Sequence, residues 1–165
     1  MTMIALAMAA AFAAPCVGGT NFAASHALRV ISASAQTDKL NPAALIYKLP
    51  SQIHWTEDPI GAETAVLVGD PSKPGLYVML VKWTPHHMSH PHWHPNDRFI
   101  TVLSGTWWVG TGTKFDPDAT VPMPAGTFVK HFAKQVHYDG AKDEEAVLEI
   151  VGEGPDTATL AKASD

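Results

Sequence analysis

The sequence predicts an all-β fold, and three observations carry the prediction. Short runs rich in valine, threonine and aromatic residues recur along the chain. Turn residues separate them, among 13 prolines and 12 glycines in 165 residues. No segment repeats its apolar residues with the 3.6-residue period of a helix. At 46% hydrophobic and 16% charged, the chain is long enough for one sizeable core and short for two. The net charge of −5 supplies no basic footprint for nucleic acid or an anionic membrane.

Residues 1–35 read as a signal peptide or flexible leader. The apolar run from Ile4 to Ala14 is too short to span a bilayer and ends in the small-residue pattern Ala11-Phe12-Ala13; a second such pattern is Ala33 to Ala35. No Lys or Arg precedes the run, as a signal peptide requires. Export to the periplasm or medium is the expectation, a cytoplasmic location the alternative. Cys16, the only cysteine, allows no intramolecular disulfide.

A single β domain is expected over residues 41–156, followed by a C-terminal tail, 157–165. Its strands are read in order. "ETAVLV" precedes the turn "GDPSKPG"; then come "LYVMLVKW", the histidine segment "SHPHWHPND", "RFITVL", the turn "SG" and "TWWVGTG". Beyond the "FDPDA" loop follow "GTFVKHF", "VHYDG" and "AVLEIVGEG". Short strands at this spacing fit a sandwich or small barrel lined by alternate side chains. There is no internal repeat.

On an extended strand, residues two apart share a face, so His92 and His94 aim at one point while Trp93 faces away. Converging imidazoles are costly to bury unless something uses their nitrogens, and a metal ion is the commonest user. A solvated histidine-rich loop with His86, His87 and His90 is the alternative. Pro91 argues against regular pairing at His90. His26 and His54 carry no such signal.

The spacing resembles the cupin family. His92-x-His94 is followed by Arg98, where the first cupin motif has Glu, and then, after six intervening residues, by Gly105. The second motif is matched by Gly126, by His137 in register, and by Phe132, Lys134 and Ala141 where the family has Pro, Gly and Asn. About 20 residues separate the two fragments, close to the family spacing. The resemblance implies a single conserved-type barrel (a double-stranded β-helix, or jelly roll), often dimeric. It also implies one divalent transition metal held by His92, His94 and His137. Imidazole suits iron, zinc, copper, nickel and manganese alike.

Arg98 is the departure. If it points into the cup, a dication about 5 Å away repels it by roughly 6 to 7 kcal/mol at an effective dielectric near 20. Three arrangements relieve this. A bulge turns Arg98 outward and makes Asp97 the carboxylate; an acid (Asp97, Glu149 or Asp139) pairs with Arg98; or an anionic ligand bridges metal and guanidinium. A salt bridge near the rim is the purely structural alternative.

Arg98 is thus a candidate catalytic and substrate-binding residue. Trp107 and His131 are candidates for substrate binding, although packing explains both as well. Tyr77, Met79, Phe99 and one of Trp107 and Trp108 would wall the pocket. Two functions follow. One is a metal-dependent enzyme, of iron-dioxygenase type or a lyase or isomerase, acting on a small carboxylate or enolate. The other is an exported cupin that holds a metal or small anion without turnover. The expected partners are a small anionic ligand and a second copy of the chain, with no nucleic acid and no membrane span.

Overall fold

The computed structural model describes residues 40–162. The chain divides into two units, 1–45 and 46–165. Of the first, only residues 40–45 are described: a turn in which the Ala43 N–H donates to Asn41 Oδ1. The expected leader, its cleavage patterns and Cys16 lie outside the described residues.

The second unit is built of strands joined by turns and two 3-10 turns, Pro50–Gln52 and Pro117–Ala119. In chain order the strands are β1 (Thr56–Asp58), β2 (Ala62–Val68), β3 (Gly75–Trp83), β4 (His92–Trp93), β5 (Arg98–Ser104) and β6 (Thr106–Thr111). Then come β7 (Val121–Pro124), β8 (Phe128–His131), β9 (His137–Gly140), β10 (Ala146–Gly154) and β11 (Thr159–Leu160). One sheet has the order β1-β2-β3-β10-β5-β8 and the other β11-β4-β9-β6-β7, each pairing antiparallel. This is the all-β double-stranded β-helix the sequence predicts. Among the described residues no helix is long and apolar enough to cross a membrane.

Two-residue alternation places the core. Along β5, Arg98, Ile100 and Val102 are buried while Phe99 and Leu103 are exposed; along β10, Ala146, Leu148, Ile150 and Gly152 are buried. Tyr77, Met79, Val81 and Trp83 of β3 join them, as do Trp107 and Val109 of the other sheet, so the inner faces of both sheets share one core. Burying side chains the size of Ile100, Val102 and Leu148 contributes about 1.5–3 kcal/mol each. Phe99, expected in the pocket wall, instead points outward and stacks on Phe128. Its neighbours Arg98 and Ile100 take the inward face, and alternation leaves Phe99 no other.

Turns hold the sheets in register. Gly105, between β5 and β6, has φ +70, and a Cβ there would meet the Glu145 carbonyl oxygen at 1.9 Å. Lys134, where the cupin pattern has glycine, takes the left-handed φ of 62 and donates its N–H to the His94 carbonyl. Residues 157–165, read from the sequence as a tail, contribute β11, which pairs with β4 as Thr159↔Trp93 and Leu160↔His92.

Candidate metal centre

Two cross-strand pairs, one from each sheet, build the site. In the β4–β9 ladder His92 is paired with His137, and in the β5–β8 ladder Arg98 is paired with His131. Side chains paired in this way share a face. His94 is the residue immediately after β4, and all five side chains are buried.

The ligand nitrogens of His92, His94 and His137 lie within 4.8 Å of one another. His92 Nδ1 lies 2.8 Å from the His90 carbonyl oxygen and His137 Nδ1 3.1 Å from that of Gln135. A carbonyl only accepts, so in both rings Nδ1 carries the proton and Nε2 is bare. His94 Nδ1 lies 2.9 Å from Asp156 Oδ1, a close but off-line contact that makes no formed hydrogen bond. It too places the proton on Nδ1, facing the carboxylate. His92 Nε2 and His94 Nε2 then face each other at 3.1 Å as two acceptors. Adjacent nitrogens on an ion with bonds of about 2.0–2.1 Å lie about 3.0–3.4 Å apart, depending on coordination number. The donor set therefore fits a divalent transition metal: the second nitrogen is hydrogen-bonded in His92 and His137 and faces a carboxylate in His94, the partners metal-binding histidines usually have.

Burial pushes the His94 imidazole below its ordinary pKa, against the pull of Asp156. Burial, together with the nearby His92 and Arg98, lowers His137 despite the opposing Asp139 carboxylate. Neutral rings are what metal binding needs.

Arg98 points inward. Its NH1 lies 3.6 Å from Asp156 Oδ2, its NH2 lies 3.3 Å from His131 Nδ1, and its Nε has no hydrogen-bond partner among the described residues. The acid that compensates it is thus Asp156, none of the three the sequence suggested. Asp97 turns away, accepting from the Ala133 N–H at 2.7 Å and meeting Lys130 Nζ at 2.7 Å. Glu149 alternates with the buried residues of β10 and so points to the opposite face. Asp139 faces the interior but accepts from Trp107 Nε1 at 3.1 Å and lies 3.9 Å from His137 Nε2. Burial alone would raise the Asp156 pKa; contact with His94 and Arg98 outweighs it and holds the carboxyl below its usual range.

Asp156 was not foreseen because nothing in local spacing links it to residues about 60 positions earlier. The one usable signal was that a buried arginine requires an acid. Strand β10 brings that acid into place. Gly152 sits opposite Arg98, the chain turns past Gly154, and the Asp156 N–H donates to the Pro71 carbonyl at 2.6 Å.

A cavity of about 150 Å³ opens beside these groups. His92, His94, Arg98, Trp107 and Asp139 line its inner end, and the exposed Asp58, Ile60 and Ala158 mark its mouth. Trp107 is 1% exposed and forms part of the wall. His131 lies behind, its ring tilted against its neighbours, with its centroid 3.8 Å from that of His137 and 5.5 Å from that of Trp107. Trp108 faces the other way, under Lys142 Nζ at 4.0 Å. His90 and His54 are exposed, and neither imidazole belongs to the set of converging nitrogens.

No family model matches the chain, and no curated protein matches it in sequence. Solved structures do. A cupin-2 domain from Rhodospirillum rubrum aligns at 14% identity and TM-score 0.55, over 72% of this chain and 80% of that one. KdgF from Halomonas sp. aligns at 14% and 0.53, over 67% and 94%. The polyketide cyclase RemF from Streptomyces resistomycificus aligns at 14% and 0.57, over 73% and 88%. At such identities the likeness is one of fold.

Proposed function

We propose that this chain, a cupin by fold, binds one divalent transition metal through Nε2 of His92, His94 and His137 and offers it to a small anionic ligand. The observation that carries the reading is the set of three buried rings whose Nδ1 atoms all face acceptors, leaving three convergent bare nitrogens. A metal in such a site would supply Lewis-acid polarisation of a chelating oxygen or activation of dioxygen, the chemistry of a dioxygenase, lyase or isomerase.

Charge supports the ligand class. Among the described residues, three formally charged side chains no more than 10% exposed lie around the site, namely Arg98, Asp139 and Asp156. They total one negative charge, which favours a dication; with the dication in place the balance becomes one positive charge, which favours a monoanion. Arg98, with its Nε unspent, orients that anion, and Trp107 excludes water from one side of it. The cavity is well below the roughly 300–1,000 Å³ of drug-sized ligand sites, so a small carboxylate or enolate is the fitting size.

That small volume also favours a second reading, a protein that holds a metal and a small anion without turnover. A cyclase among the structures sharing the fold makes catalysis compatible with this architecture and no more. The test is to recover the protein with its native metal, identify the metal by elemental analysis, and measure dioxygen uptake and substrate loss across small enolates and carboxylates. Turnover supports the enzyme, and binding without turnover supports the second reading. Metal content that survives replacement of all three histidines by alanine overturns both.

A further inference from the structure

Among the described residues two overlapping sets of side chains could hold an ion, His92–His94–His137 and His131–His137–Asp139, and they share His137. The first is all nitrogen. The second is the two-histidine, one-carboxylate type, with a different metal preference. Something in the chain decides between them.

Arg98 is placed to do so. Its NH2 lies 3.3 Å from His131 Nδ1, across the ladder from its cross-strand partner. A guanidinium has donors and no acceptor, so His131 Nδ1 accepts and the ring's proton sits on Nε2. Nε2 is buried without a hydrogen-bond partner among the described residues. A protonated nitrogen cannot ligate a metal. Moving the proton to Nδ1 would turn an N–H against the guanidinium N–H in a buried site. His137, tilted against the same ring, has the opposite tautomer because its Nδ1 faces the Gln135 carbonyl. The indole N–H of Trp107 meanwhile occupies one oxygen of Asp139.

We propose that Arg98 is a positioning residue that locks His131 in its Nε2–H tautomer, and so directs the metal to His92, His94 and His137 and away from the set containing Asp139. The second half rests on the metal-binding reading above; the first does not. His131 then serves beside the ligand sphere, its Nε2–H free to donate to a water or anion next to His137.

The first measurement is histidine tautomer by long-range ¹H–¹⁵N correlation on the metal-free full-length chain. His131 is expected to be protonated at Nε2 and bare at Nδ1, and His92 and His137 the reverse. A His131 protonated at Nδ1 overturns the lock even if metal binding fails altogether. The second measurement is the visible absorption of the cobalt(II)-loaded protein. His131→Phe and Asp139→Asn are each expected to leave cobalt stoichiometry and the ligand-field bands unchanged in the wild-type background. In an Arg98→Met background, the bands are expected to shift and to become sensitive to Asp139→Asn. Should Arg98→Met fail to fold, the wild-type-background variants decide: loss of cobalt, or bands reporting a lost ligand, in either one overturns the proposal.

Discussion

Asp156 Oδ1 lies 2.9 Å from Nδ1 of His94, which brings the segment between β10 and β11 against the first histidine pair. The same carboxylate reaches Arg98 NH1 at 3.6 Å, and all three side chains are at most 10% exposed. Asp156→Asn keeps the shape and removes the charge. Metal affinity is expected to fall about 10–100-fold, the usual cost of losing a group that orients a ligating histidine. The metal-free protein is expected to lose about 3–5 kcal/mol, because Arg98 is left buried and uncompensated. Competitive metal titration and urea unfolding of the metal-free chain measure the two separately, and an unchanged titration would mean that Asp156 does not orient His94.

Removing any one of the three imidazoles tests the ligand set. His92→Ala, His94→Ala and His137→Ala are each expected to lower metal stoichiometry well below one per chain at micromolar free metal, while His54→Ala, at an exposed position, leaves it unchanged. Elemental analysis after gel filtration reads this directly. Three single variants that keep full metal content would place the ion elsewhere.

The part of this site that could be read from the sequence is the part that alternation governs. His92 and His94, two residues apart, and the inward course of Arg98, Ile100 and Val102 follow from strand parity once the segment is extended. The turn at Gly105 is equally local. Sheet order is not: the pairing of Arg98 with His131 and of His92 with His137 depends on which strands become neighbours, and that is set by packing across the whole barrel. Asp156 depends on still more, since β10 must pair with β5 and the chain must then turn inward past Gly154. The acids proposed from the sequence were those near Arg98 or on strands already assigned. The one used lies at the point where the domain was expected to end.

Stability of the metal-free protein should fall in mild acid. Burial lowers the His131 pKa to about 2 and lowers His137 as well, from a reference value of 6.5. Below about 6.5 the unfolded chain therefore takes up protons that the folded chain does not. The contribution of these rings is fully present above that pH and declines as pH drops toward the folded values. The slope is at most about 1.4 kcal/mol per pH unit for each ring. Urea midpoints at pH 7.5 and pH 5 are expected to differ in that direction, and equal midpoints would show that the rings are already protonated in the fold.

Arg98→Glu is the substitution for which sequence and structure predict different outcomes. By the cupin pattern it restores the missing carboxylate ligand and should simply tighten the metal. In the folded chain the new carboxylate would replace the cation that compensates Asp156, two residues of like charge would meet in a buried site, and the donor to His131 Nδ1 would be gone. The buried charge around the site would change from one negative to three. The metal-free variant is therefore expected to unfold at lower urea than wild type, and a divalent metal to raise its midpoint by more than it raises that of wild type. With the metal bound, the site retains a net negative charge, so affinity for acetate or azide is expected to fall at least about tenfold. Arg98→Ala should weaken the same anions while keeping metal stoichiometry near one, because every side chain of the two candidate ligand sets remains. Urea midpoints with and without metal, and acetate titration of the cobalt(II) forms, follow both effects. If Arg98→Glu is as stable as wild type without metal and binds anions as tightly, then Asp156 is not the partner that Arg98 serves.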